Sequence, residues 1–500
     1  MTGQIEWIAL SVFIFFFALV TIMGFLAARW KSAEVLEHLD EWGLGGRQFG
    51  LWITWFLIGG DFYTAYTVIA VPALVYAVGA YGFFALPYTI IVYPLVFTIM
   101  PLLWKVAHAN GYVTAADVVH GSYGSRGLEL AVAMTGMIAT MPYIALQLVG
   151  MGAVIKAMGL SGEWPIVAAF VILALYTYSS GLRAPALIAF VKDIMIYVVV
   201  LSAVVIVPAK LGGYGAVFSA ANDAFATKGG ATGLTLKPGQ FLPYATLALG
   251  SALAAFMYPH TLTGVFAAKS ADTIRKNAIL LPAYTLLLGL IALLGYMAYA
   301  AHIHVSSPND VVPVLFKTLF SSWFAGFAFA AIAIGALVPA AVMSIGAANL
   351  FARNVWKSYL DPGISHAGEA LVAKITSLIV KVGALAFTLF LPVQYALDLQ
   401  LLGGLWILQT FPTLISSLYT RWFRAEALLL GWAAGIAWGS WTAWSNGLKP
   451  IATIVVGDLS YSFYVGLGAL ILNVAVALAA TFLIGLVSTR LDRAGARPTS

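Results

Sequence analysis

Residues 52–79, WITWFLIGGDFYTAYTVIAVPALVYAVG, decide how this chain folds. The stretch is long and apolar enough to cross a bilayer, which takes about 20 residues. Yet Gly59, Gly60 and Asp61 stand near its middle, and Pro72 follows. Glycine weakens a helix, proline removes a donor, and a carboxylate is costly in lipid. A helix that had only to sit in lipid would carry none of the four. Together they predict a span broken inside the membrane. Its unpaired backbone groups must then line a cavity, because lipid cannot satisfy them.

The rest of the chain supports a membrane setting. Of 500 residues, 62% are hydrophobic and only 9% charged, and the mean hydropathy is +0.95. A soluble protein cannot cover so much apolar surface. There is no cysteine, which excludes disulfides, thiol catalysis and Cys-based metal sites. The first apolar run lacks a basic n-region and a small-residue cleavage site, so it reads as a retained helix and not a signal peptide.

Thirteen spans are predicted, giving an all-α polytopic membrane protein: 7–28, 52–78, 82–107, 128–158, 164–181, 184–208, 241–266, 277–300, 324–352, 371–392, 396–419, 426–445 and 461–487. Numbering the loops from the first span puts 17 of the 25 Lys and Arg on one side and 6 on the other. The positive-inside rule then sets the N-terminus outside and the C-terminus inside. The net charge of +6 is an orientation signal, and nucleic acid is not an expected partner. Nothing after Arg490 is long enough to predict a fused soluble domain.

Charges inside spans are few: Asp61, Lys192, Asp193 and Lys381. Such residues face protein or water and mark function by default. Asp61 is the candidate for ion coupling, with a structural hydrogen bond as the rival reading. Lys192 and Asp193 are sequence neighbours that leave a helix in different directions. Each is expected to need a partner elsewhere or a wet cavity, in a gating or relay role. Lys381 is expected to snorkel to the inner interface.

A second break is predicted in the seventh span, where Gly250 precedes FMYPHTLTGVF, residues 256–266. Two breaks five spans apart fit a transporter built of inverted repeats, with substrate and ion at the half-helix ends. His260 lies beside this break as a gate or a structural residue, expected toward the cytoplasmic end. Gln147, Gln409 and Thr410 are amides and a hydroxyl that could hold a carboxylate or bond a neighbouring helix. Tyr66, Tyr258 and Trp406 could shape a small-acid pocket or simply pack. No P-loop and no H-E-x-x-H motif is present, and no His lies well inside a span to serve a serine nucleophile. The chain therefore does not read as an enzyme.

Four stretches carry a family resemblance: DEWGLGGRQFG (40–50), YVTAADVVHGSYGSR (112–126), YPHTLTGVFAAKS (258–270) and PTLISSLYTRWFRAEALLLGWAAG (412–435). In order and spacing they resemble the sodium/solute symporter family. The resemblance implies a LeuT-like 5+5 inverted repeat in one transport domain over residues 1–500. An accessory helix (7–28) would precede a first repeat (52–208), a second repeat (241–419) and two C-terminal helices (426–487). DFYTAYTVIAVPALVYAVGAYGFFALPYT (61–89), SGLRAPALIAFVKDIMIY (180–197) and LVPAAVMSIGAANLFARN (337–354) are most like bacterial monocarboxylate permeases.

What the resemblance implies is a symporter in a bacterial cytoplasmic membrane. It would import lactate, pyruvate or similar acids with a cation by alternating access. An alanine or proline symporter is the alternative within the family, and a channel is the alternative outside it. No cofactor and no obligate protein partner are expected beyond substrate, lipid and a coupling Na⁺ or H⁺. The family's sodium site falls on Gly60 and Tyr63 of the second span and on Ala341 and Ser344 of the ninth. Its paired hydroxyls are incomplete here, reading Ser344-Ile345 in one register and Val338-Pro339 in the other. Sodium wants oxygen ligands, so the loss weakens the site. Asp61 could replace the oxygen or carry a proton.

Overall fold

The computed structural model describes residues 5–29, 38–60, 63–230, 232–390 and 396–495. Asp61 lies outside the described residues. In chain order the main elements are α1 (Trp7–Leu26), α2 (Leu51–Gly60), α3 (Tyr66–Val78), α4 (Ala80–Asn110), α5 (Ala115–Tyr123), α6 (Arg126–Ala157), α7 (Trp164–Ser180), α8 (Arg183–Lys210), α9 (Tyr214–Lys228), α10 (Pro238–Ala255), α11 (Pro259–Ala267), α12 (Ala271–Ala300), α13 (Ser322–Leu360), α14 (His366–Phe390), α15 (Leu397–Tyr419), α16 (Ala425–Ser445), the strands β1 (Ile451–Val456) and β2 (Leu459–Tyr464), and α17 (Val465–Gly495).

Among the described residues nine helices are long and apolar enough to cross a membrane, or ten when the bent pair α10–α11 is one span. Thirteen were expected. The difference lies in the broken span α2–α3, in α7 at 17 residues, and in α16, whose four tryptophans lower its hydropathy. Both predicted breaks are present. α2 stops at Gly60 and the helix resumes at Tyr66 with a π-wound turn. α10 and α11 meet at 45° across Phe256–Tyr258.

The all-helical expectation needs one correction. Residues 451–464 form an antiparallel hairpin with Val456 paired to Leu459 around Gly457-Asp458. The expected span 461–487 therefore begins with strand, and its helix starts at Val465. Gly457 has φ +61°, the left-handed backbone a two-residue hairpin loop requires.

α13 is the shaft of the fold, with its apolar window buried along the whole length. Its run of Ala and Gly lets neighbours approach closely, the usual basis of packing between helices in lipid. A Cβ on Gly326 would meet the Ala9 carbonyl oxygen at 2.3 Å, and one on Gly346 would meet Pro259 at 2.8 Å. α1 and α11 are thereby laid against the two ends of α13.

Loop contacts gather in two groups, near opposite ends of the long helices α6 and α8. At one end Arg183 pairs with Glu41, Arg353 and Lys357 pair with Glu369, and Arg421 donates to the Ser122 carbonyl. At the other Lys156 pairs with Asp310, Lys317 with Glu6, and Lys210 donates to the Leu319 carbonyl.

Candidate functional site

The break in the second span is held from outside its own helix. Lys192 on α8 donates through Nζ to the Gly60 carbonyl at 2.7 Å and the Tyr63 carbonyl at 3.2 Å. The same Nζ lies 2.9 Å from Asp193 Oδ1, and both side chains are fully buried. The expectation that these neighbours cannot neutralise each other is corrected. They leave the helix in different directions, but the long lysine chain curls back and the broken helix supplies the other oxygens. Asp193 Oδ2 accepts from the Tyr284 hydroxyl at 2.8 Å.

The two glycines make this approach possible. A Cβ on Gly59 would sit 2.3 Å from the Tyr284 ring, and one on Gly60 would sit 2.9 Å from Lys192 Nζ. Gln147 on α6 pins the far side of the break, accepting from the Ala65 amide at 3.0 Å and donating to the Tyr143 carbonyl at 3.4 Å. Its amide thus completes the backbone of the broken span, which lipid could not do.

The ninth-span residues form a separate polar chain. Ser344 Oγ donates to the Ala341 carbonyl at 2.8 Å and accepts from Ser377 Oγ at 3.3 Å. Ser377 Oγ in turn accepts from Lys381 Nζ at 2.7 Å. Lys381 is buried, not snorkelling, because Ser377 one turn before it offers both hydroxyl and carbonyl within the bundle. The five expected ion-site residues thus divide. Gly60 and Tyr63 share Lys192, Ala341 and Ser344 bond each other, and Asp61 is outside the described residues. Among those residues no group of three His, Asp or Glu gathers as a metal site.

A small cavity of about 30 Å³ lies at the second break, between α2, α4, α6, the α10–α11 bend, α12 and α15. Tyr88, Tyr143, Tyr258, His260, Thr261 and Gln400 give it its polar lining, among apolar neighbours such as Val92 and Leu281. The Tyr143 ring lies 5.2 Å from Tyr258 and 5.5 Å from His260. Tyr258 donates to the Gln400 carbonyl at 3.0 Å. His260 Nδ1 and Gln400 Oε1 are buried without a hydrogen-bond partner, although a buried polar atom left unpaired is costly. The Tyr66 hydroxyl likewise lacks one, with its ring edge-on to Tyr88 at 6.2 Å. His260 sits in the first turn of α11, at the bend and not at the helix's far end.

Three further expected residues lie elsewhere. Trp406 donates to Ser440 at 3.1 Å and packs toward α16. Gln409 donates to the Leu405 and Gly466 carbonyls and accepts from Asn473, tying α15 to α17. Thr410 donates to the Ile407 carbonyl at 2.7 Å. Tyr88, Tyr143 and Gln400 were not singled out from sequence. Gln400 alone carries a signal there, as an amide in the apolar run around LDLQLL.

The model of the sodium:solute symporter family matches residues 42–427. A monocarboxylate transport permease protein of Rhizobium johnstonii is 70% identical over 97% of this chain and 98% of its own length. An uncharacterized symporter of Bacillus subtilis, YodF, is 35% identical over 84% of each chain. A solved Na⁺-coupled sialic acid symporter in a substrate-bound outward-open state superposes with a TM-score of 0.74 at 15% identity, covering 97% of this chain and 98% of its own.

Proposed function

The chain belongs to the sodium:solute symporter family, and from that premise we propose that it imports short monocarboxylates, lactate and pyruvate among them, together with a cation. Membership makes it a multi-pass membrane transporter and not an enzyme. Sodium is the cation that the family's description points to. The bacterial relatives support a bacterial cell membrane as the setting, and the Lys and Arg asymmetry favours an N-terminus outside.

The observation that carries the substrate class is the cavity at the α10–α11 bend. Its few polar groups set among largely apolar walls are the lining that a small organic acid needs. Its unpaired His260 nitrogen and Gln400 oxygen offer a donor and an acceptor to a hydroxy or keto acid. The N-terminus of α11 opens on the same space and favours negative charge there. Among the described residues no arginine lines it, so recognition rests on these groups and not on a guanidinium clamp. The name of the Rhizobium relative supports the same class. The two broken spans, as matching halves of an inverted repeat, give the rocking element for alternating access.

The test is uptake of labelled lactate into proteoliposomes under an imposed inward sodium gradient. Pyruvate should compete and glucose should not. Full displacement of lactate by proline, itself carried faster, would replace the monocarboxylate reading with an amino-acid one.

A further inference from the structure

We propose that Lys192 is a tethered cation: its ammonium fills the cation seat at the carbonyl end of broken α2, so no exchangeable metal cation uses that seat. The inference rests on the symport reading and deepens it. An ammonium has three donors, and here three oxygens meet it: Gly60 O, Tyr63 O and Asp193 Oδ1. None of the pair's surface reaches solvent. The carbonyls at a helix C-terminal end carry partial negative charge and call for a cation. In this chain the cation is covalently part of the neighbouring helix.

The surroundings are shaped for that ammonium. Gly60 leaves out the one carbon that would crowd Nζ. Tyr284 holds the second carboxylate oxygen of Asp193, which keeps Oδ1 turned to the lysine. A metal ion added here would meet a like charge at contact distance and would have to displace two hydrogen bonds and an ion pair. The exchangeable cation of the transport cycle therefore takes oxygens other than these two carbonyls. Removing the ammonium would leave two carbonyls and a carboxylate around a vacant space, a set of hard oxygens that suits sodium. Lys192 is thus a positioning residue that holds the break without leaving it.

The test compares purified full-length wild type with Lys192→Ala and Lys192→Gln, in sodium chloride against choline chloride at equal ionic strength. Thermal unfolding and lactate counterflow are read in each. Both variants should lose about tenfold in counterflow in choline, about the loss of one charge-assisted bond. Sodium should restore most of it and should raise their unfolding temperature by several degrees more than it raises that of wild type. A purely structural lysine would give no such gain of sodium response. Sodium responses in both variants equal to wild type would overturn the proposal. Wild type that exchanges no monocarboxylate in either salt would overturn the substrate reading instead, and the thermal comparison would still decide Lys192.

Discussion

Asn354 is the most exacting place to perturb the end of the bundle where the basic loops collect. Its side chain is fully buried. Nδ2 donates to Asp117 Oδ1 at 2.6 Å and to Glu129 Oε1 at 2.8 Å, while Oδ1 accepts from Thr114 Oγ1 at 2.6 Å. One amide therefore ties α5 and α6 to the C-terminal turns of α13. Asn354→Ala removes two bonds to carboxylates, about 1.5–3 kcal/mol each, and one neutral bond of about 1 kcal/mol. Part returns, because Asp117 keeps the Val113 and Thr114 amides and Glu129 keeps Ser358. Water can also reach both from the adjoining cleft around His120 and Arg126. The net loss is about 3 kcal/mol. A chain of this length has an unfolding entropy of about 1 kcal/mol/K, so the unfolding temperature should fall by about 3 °C. Asn354→Asp, which brings a third carboxylate to the cluster, should fall further. Thermal unfolding of the purified protein in detergent reads both. An alanine variant that unfolds with wild type, or an aspartate variant more stable than the alanine one, would refute the bond-by-bond account.

Gln147→Leu orphans the Ala65 amide at a cost of about 1–3 kcal/mol and should cut lactate uptake about tenfold at equal protein level, whereas Gln147→Glu keeps the acceptor and most of the activity; equal uptake by both would remove Gln147 from the account of the break. Gln400→Leu and His260→Phe should each raise the KM for lactate by about tenfold, about 1.4 kcal/mol for one lost bond, with little change in the amount of folded protein; unchanged KM in both would move the substrate out of the cavity at the bend. Single cysteines at Asn222 and Lys276, both exposed in a chain without native cysteine, should be labelled by an impermeant maleimide from outside and only after permeabilisation, respectively. Labelling of both from one side would reverse the span count between them.

The breaks were legible because Gly-Gly-Asp and Tyr-Pro-His interrupt runs that are otherwise uniformly apolar. The hairpin was legible by rule as well, in IATIVV, Gly-Asp and LSYSFY. A reading by hydropathy absorbed its second strand into the last helix, since apolar strand and apolar helix look alike to an average over many residues. The Lys192–Asp193 contact was misread because angular position on a helix says where a side chain leaves, not where a four-carbon stem ends. Lys381 was misread for a related reason: its partner Ser377 is local, but the absence of a path to the interface depends on helices far away in sequence. Gln409 was read as an amide to hold a carboxylate or bond a neighbouring helix, and Trp406 as a pocket wall or a packing residue. Their partners on α16 and α17 come from the far end of the chain, which no local pattern shows. The cavity wall has the same character, drawing Tyr88, Tyr143, Tyr258 and Gln400 from four separate segments.

The two halves of the seventh span are fastened to different parts of the bundle. The N-terminal half, α10, carries Thr246, whose hydroxyl accepts the Tyr464 amide at the end of the hairpin. The Tyr464 hydroxyl bonds the Leu401 carbonyl of α15, and a Cβ on Gly250 would strike the Tyr464 ring at 2.4 Å. The C-terminal half, α11, abuts α13 at Gly346, and at its end Ala267 O accepts from the Phe49 amide and Phe49 O from the Lys269 amide, ahead of α2. One half is thus geared to the C-terminal helices and the other to the shaft and the start of the second span. Any relative rotation of those two assemblies must be taken up over Phe256, Met257 and Tyr258, of which Phe256 and Tyr258 line the cavity. The joint and the binding space then share a wall, so a guest that fills the space also sets the angle of the joint.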